Sequence, residues 1–138
     1  MSRFVLDNSV VMAWYFEDEA NTYSAAILES MALSEALVPT IWPLEVANVL
    51  LVGERKGRTT EARTHRFIAL LDALPIRVDA ATAQHALSRI LTLAREQQLS
   101  AYDAAYLELA MREGVPLATQ DKALRRAAKA CGVALAEL

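Results

Sequence analysis

FVLDNSVVMAW, residues 4–14, runs three apolar residues into an aspartate, passes through the polar pair Asn8-Ser9 and resumes as a second apolar run. This order reads as a short strand, Arg3 to Leu6, that delivers Asp7 at its carboxyl end, where open α/β sheets bind ligands. The pattern recurs downstream. Short runs at Ala36–Val38, Ile76–Val78, Pro116–Thr119 and Val133–Leu135 alternate with longer stretches of helical periodicity. Such alternation predicts an α/β fold with a parallel sheet of about five short strands covered by helices.

The helices carry their own punctuation. Pro43 to Lys56 opens with proline in its first turn and stops at Gly57. Thr60 to Leu71 forms another helix. Asp79 is expected to cap one that runs to about Arg95, with Ala83, Ala86, Leu87, Ile90, Leu91 and Ala94 on its apolar face. Ser100 begins the next, which Gly114 ends, and Asp121 heads the last, which stops near Gly132. The 138 residues, 54% hydrophobic, suffice for one core, and residues 1–138 are expected to form a single domain. No apolar run approaches membrane length and the start lacks a signal-peptide core, so a soluble cytoplasmic protein is expected. Cys131 stands alone, which excludes an internal disulfide.

Four acids stand where this topology brings residues to one edge of the sheet. Asp7 and Asp121 follow strands, while Glu45 and Asp103 lie in the opening turns of helices. Carboxylates gathered without a cation repel one another, and hard cations such as Mg²⁺ and Mn²⁺ take oxygen ligands, so the set points to a divalent-metal site. Each acid also has a plainer role. Asp7 and Asp121 are good helix caps, Glu45 suits the positive end of a helix dipole, and Ser100-Ala101-Tyr102-Asp103 reads as a capping box. Asn48, three residues after Glu45, shares its helical face and is positioned to orient it or a metal-bound water.

FVLDNSVVMAW around Asp7, PLEVANVL around Glu45 and Asn48, LSAYDAAYLELA around Asp103, and PLATQDKAL around Asp121 together resemble the PIN domain over nearly the full length, specifically the small VapC-type toxin nucleases of bacterial toxin–antitoxin pairs. The resemblance implies a PIN-like three-layer α/β/α fold. It makes Asp7, Glu45, Asp103 and Asp121 the catalytic and metal-binding acids, with Ser9, Asn48 and Thr119 as polar neighbours. It further implies Mg²⁺ or Mn²⁺, endonucleolytic RNA cleavage leaving 5′-phosphate and 3′-hydroxyl ends, a homodimer and a cognate VapB-like antitoxin. Asn8 departs from the small residues common in similar chains. On this reading Asp7 and Asp103 anchor the metal most directly. A catalytically weak PIN-like module that binds RNA or protein is the alternative.

Net charge is −3, from 14 Lys and Arg against 17 acids, but removing the four site acids leaves 13 acids against 14 bases, a balance that admits a polyanion. One basic group comprises Arg55, Lys56, Arg58, Arg63 and Arg66. The other, Lys122, Arg125, Arg126 and Lys129, follows Asp121, and Arg125, Arg126 and Lys129 are the candidate RNA contacts. Trp14, Tyr15, Phe16 and Trp42 are expected to pack internally or to line a groove for a partner. His65 and His85 lack metal-ligand spacing. A phosphotransfer hydrolase wants an acid two residues after the first aspartate, where Ser9 stands, and a phosphate-receiver domain wants one after Val38, where Pro39 stands.

Overall fold

The computed structural model describes residues 2–137. Strand β1 (Ser2–Leu6) is flanked in parallel by β2 (Ser34–Val38) and β4 (Leu117–Ala118), and β2 pairs in parallel with β3 (Ile76–Val78). The order across the sheet is β3-β2-β1-β4. The direction of winding reverses between β1 and β4, which makes their carboxyl ends the topological switch point where such sheets open a crevice. Register sharpens this. Leu6 lies opposite Ala118, so Asp7 and Thr119 leave the sheet side by side, and the Asp7 amide donates to the Ala118 carbonyl at 2.9 Å.

Helices flank the sheet: α1 (Asn8–Tyr15), α2 (Thr22–Ser30), α3 (Trp42–Arg55), α4 (Glu61–Ala73), α5 (Thr82–His85), α6 (Leu91–Gln97), α7 (Ala101–Glu113) and α8 (Lys122–Ala130). Side-chain caps from Asn21, Thr60, Ser100 and Asp121 accept amide hydrogens at the starts of α2, α4, α7 and α8. The helix α7 is the hub. Seven consecutive residues, Ala104 to Ala110, are buried, so this helix is covered on all sides rather than along one stripe. Its Tyr106, Leu107 and Leu109 join Val5, Leu6, Val10, Val11, Val38 and Leu124 in the main core. Each such aliphatic side chain contributes about 1.5–3 kcal/mol of burial free energy. Among the described residues no helix is long and apolar enough to cross a membrane.

Two expectations require correction. The fifth strand, Val133–Leu135, reduces to a single bridge between Leu135 and Leu117, because its neighbour β4 has only two residues to offer. The helix expected from Asp79 starts instead at Thr82 and passes through one π-helical turn, Ala86–Ile90, before continuing as α6. Asp79 does not cap it. The Asp79 carboxylate is taken by the Arg112 guanidinium at 2.8 and 3.2 Å and by the Thr82 hydroxyl at 3.1 Å. Arg112 also donates to Glu108 at 2.9 and 3.1 Å, so one guanidinium serves two carboxylates, one of them on a residue only 1% exposed.

Candidate active site

The four acids reach the carboxyl edge of the sheet from four separate segments. Asp7 occupies the junction of β1 and α1 in extended backbone and is 5% exposed. Its carboxylate closes no capping hydrogen bond, although the Ser9 amide lies near enough to favour its charged form. Instead the hydroxyls of Ser9 and Thr119 donate to the same oxygen, Oδ2, at 2.6 and 2.7 Å. Among the described residues, no hydrogen bond uses Oδ1. Ser9 also accepts from the Gln120 amide and Thr119 from the Asp121 amide, which ties the start of α1 to the loop after β4.

Glu45, half-buried in the first turn of α3, accepts a 2.5 Å hydrogen bond from the Tyr106 hydroxyl on α7. Asp103 sits in the first turn of α7, where its amide donates to Ser100 Oγ at 3.0 Å. Asp121 caps α8 through Oδ2, which accepts from the Leu124 amide at 2.8 Å. The cap and the site are therefore compatible for Asp121, since capping engages one oxygen only.

Electrostatics ties the four together. Burial raises the Asp7 carboxyl above its ordinary value, the two hydroxyls oppose the rise, and Asp121 adds to it. Burial raises Glu45 as well; the Tyr106 hydrogen bond works against this, while Asp7 and Asp103 reinforce it. Asp103 is pushed up to about 6 by burial and then by the fields of Asp7 and Asp121. No lysine, arginine or histidine forms a salt bridge with any of the four among the described residues. Among the described residues the hydrogen-bond donors to the Asp7, Glu45 and Asp121 carboxylates are neutral hydroxyls and amides, which orient oxygen atoms without cancelling charge.

This donor set suits a hard cation, being all oxygen, anionic and without an internal counter-charge. Among the described residues no three side chains of the ligating types are gathered tightly enough to hold an ion as they stand.

The chain is matched by the family model for the PIN domain over residues 4–130, an interval that holds all four acids. The chain belongs to the PIN-domain family. PIN domains are generally nucleases, and the parallel sheet flanked by helices is the PIN fold. Among solved structures this PIN domain is similar to PAE2754 from Pyrobaculum aerophilum, at 21% identity and a TM-score of 0.67, covering 91% of this chain and 84% of that one. It is also similar to VapBC2 from Rickettsia felis bound to a DNA fragment from their promoter, at 15% identity and a TM-score of 0.66, over 99% and 98% of the two chains. A toxin–antitoxin complex from Klebsiella pneumoniae matches at 19% identity and a TM-score of 0.59, over 86% of each chain. No curated protein sequence matches the chain. At these identities the structural likenesses speak to the fold.

The remaining sequence-predicted residues divide. Ser9 and Thr119 join the acidic cluster through Asp7, whereas Asn48 is exposed and makes no side-chain hydrogen bond among the described residues. Of the two roles expected for Asn48, orienting Glu45 or a metal-bound water, the first is not seen: among the described residues no hydrogen bond joins it to Glu45. That place is taken by Tyr106, which the sequence carried unremarked three residues after Asp103; the spacing puts both on one face of α7. Arg125 borders the site, with Nε donating to the Thr119 carbonyl at 2.7 Å and its guanidinium 4.9 Å over the Tyr23 ring. Arg126 donates to the Gln97 carbonyl at 3.1 Å, and Lys129 is exposed. The first basic group meets the aromatics elsewhere: Arg58, Arg63 and Arg66 line an open groove with Tyr15, Phe16 and Phe67. In it Arg58 pairs with Asp18 and Glu19 and lies 3.9 Å over the Phe16 ring.

Proposed function

We propose that residues 1–138 form a single VapC-type endoribonuclease domain, dependent on Mg²⁺ or Mn²⁺, that serves as the toxin of a toxin–antitoxin pair. One observation carries the reading: four carboxylates from distant segments lie within reach of one another's charge at the carboxyl edge of the sheet, and among the described residues no Lys, Arg or His pairs with any of them. A purely structural acid cluster is expected to be paired, because unpaired buried charge is costly.

When bound, the cation lowers the pKa of a water for in-line attack on a phosphodiester and offsets the charge developing on the phosphoryl oxygens. Asp7 and Asp103 would hold it most directly, with Glu45 and Asp121 completing the set. Ser9 and Thr119 hold Asp7 by one oxygen, which fixes the carboxylate plane while leaving Oδ1 for the ion. Arg125, anchored beside Thr119 and stacked near Tyr23, presents its positive charge at the mouth of the site, where RNA phosphates arrive; Arg126 and Lys129 extend that face along α8.

The partners follow from the same reading. Solved relatives of the fold include the R. felis VapBC2 assembly and the K. pneumoniae toxin–antitoxin complex, and this chain is assigned a VapB-like antitoxin in turn. Leu44, Leu51, Ile68 and Leu70 on α3 and α4 are exposed, supplying apolar surface for a homodimer or the antitoxin. The protein acts in the cytoplasm, where its RNA substrate resides.

The test compares RNA cleavage by wild type, Asp7→Asn, Asp103→Asn and chelator-treated wild type, with new 5′ ends mapped on cellular RNA. Loss of cleavage in all three is expected. Cleavage that persists in the variants and after chelation excludes this mechanism, and metal binding without cleavage by wild type favours the alternative of a PIN-like binding module.

A further inference from the structure

The Tyr106 side chain is 0% exposed and held in the main core, yet its hydroxyl reaches from α7 to Glu45 on α3 across 61 residues of sequence. A buried tyrosine needs a partner for its hydroxyl, and here the partner is a site carboxylate rather than a backbone carbonyl. The contact engages Glu45 Oε1, while Oε2 has no hydrogen bond among the described residues. Glutamate turns about three side-chain torsions, and a half-buried one beside Asp7 and Asp103 is pushed away by both. A donor on a ring locked by packing opposes that push and selects one rotamer. Because Asp103 and Tyr106 stand one turn apart, α7 supplies one site acid and orients another.

We propose that Tyr106 is a positioning residue of the acidic centre, its hydroxyl tethering Glu45 by Oε1 so that Oε2 is presented to the bound cation. The inference rests on the metal-dependent reading above and concerns the cation's binding rather than the identity of the substrate.

The test measures Mn²⁺ affinity by isothermal titration for full-length wild type, Tyr106→Phe, Glu45→Gln and the double variant, with thermal melts to establish folding and cleavage followed against Mn²⁺ concentration. Tyr106→Phe is expected to weaken Mn²⁺ binding about ten-fold, the scale on which groups that orient metal ligands act, and to raise the half-saturating Mn²⁺ for cleavage equally while cleavage at saturation changes little. In the Glu45→Gln background the same substitution is expected to add almost nothing. Unchanged affinity in Tyr106→Phe overturns the proposal, as does an equal loss in both backgrounds or a Tyr106→Phe protein that does not fold, since each makes the hydroxyl a packing feature. A wild type that binds no Mn²⁺ overturns the metal reading and this inference together. One that binds Mn²⁺, shows the Tyr106 effect and leaves RNA intact overturns only the ribonuclease assignment.

Discussion

Two groups of acids in this domain meet opposite fates. At one end of α7, Glu108 and Asp79 share the Arg112 guanidinium through four hydrogen bonds. At its other end, Asp103 joins Asp7, Glu45 and Asp121 in a set that, among the described residues, has hydroxyl and amide donors and no ion pair. Arg112 holds the Asp79 carboxyl below the ordinary carboxylate range, while burial and neighbouring acids raise Asp7, Glu45 and Asp103 above it. The first group carries its cation within the chain and is part of the scaffold. The second has its charge unmatched, which is what a site for an external cation requires.

Removing the internal cation gives the largest expected effect. Arg112→Met leaves Glu108, 1% exposed, and Asp79 without a counter-charge, and is expected to cost about 3–5 kcal/mol in urea denaturation. A loss below about 1 kcal/mol would equate the two groups. The converse substitution at the other end, Asp7→Asn, is expected to lower RNA cleavage by about two orders of magnitude, the scale of losing a group that organises transition-state charge stabilisation. In the absence of metal it should preserve or raise the melting temperature, because it removes repulsion. It should also diminish the rise in melting temperature that Mg²⁺ confers on wild type.

The two groups also predict opposite responses to pH. Asp103 binds its proton more tightly folded, at about 6, than at the ordinary 3.8, so its contribution to metal-free stability is full below about pH 4 and is lost as pH rises through 6. Asp79 is lowered, so its contribution is present above the ordinary carboxylate range and fades as pH falls. For half-exposed Asp103, solvent screening leaves on the order of 1 kcal/mol. Melting curves of wild type, Asp103→Asn and Asp79→Asn between pH 4 and 8 check this: Asp103→Asn should be the more stable at pH 7, Asp79→Asn the less. Saturating Mg²⁺ should cancel the Asp103 effect by favouring the carboxylate. The smallest effect belongs to the exposed face of α8. Arg126→Ala with Lys129→Ala should weaken RNA binding and reduce the slope of log affinity against log salt by about one for each lost phosphate contact. An unchanged slope would remove this face from the substrate path.

These residues differ in how far a local pattern specifies their role. Strand β1 and Asp7 were legible because an apolar run that ends in an acid is a local pattern, and Gly57 and Gly114 marked helix ends by the positive φ they adopt, +71° and +64°. Val133–Leu135 has strand composition but meets only the two-residue β4, so it pairs through a single bridge. Asp79 has the local pattern of a cap, and the competitor that takes its carboxylate, Arg112, lies 33 residues away. Helical spacing and the family resemblance both point to Asn48 as the neighbour of Glu45, yet the hydrogen bond to Glu45 comes from Tyr106 on another helix.

By itself the sequence determined the alternation of strand and helix, the positions of the four acids and their family, because periodicity, caps and motif spacing act over a few residues. Only the tertiary structure decided which acids receive a cation from the chain and which do not. Ion pairing depends on distances across the fold, between Asp79 and Arg112 in one case and among Asp7, Glu45, Asp103 and Asp121 in the other, and no local pattern encodes them.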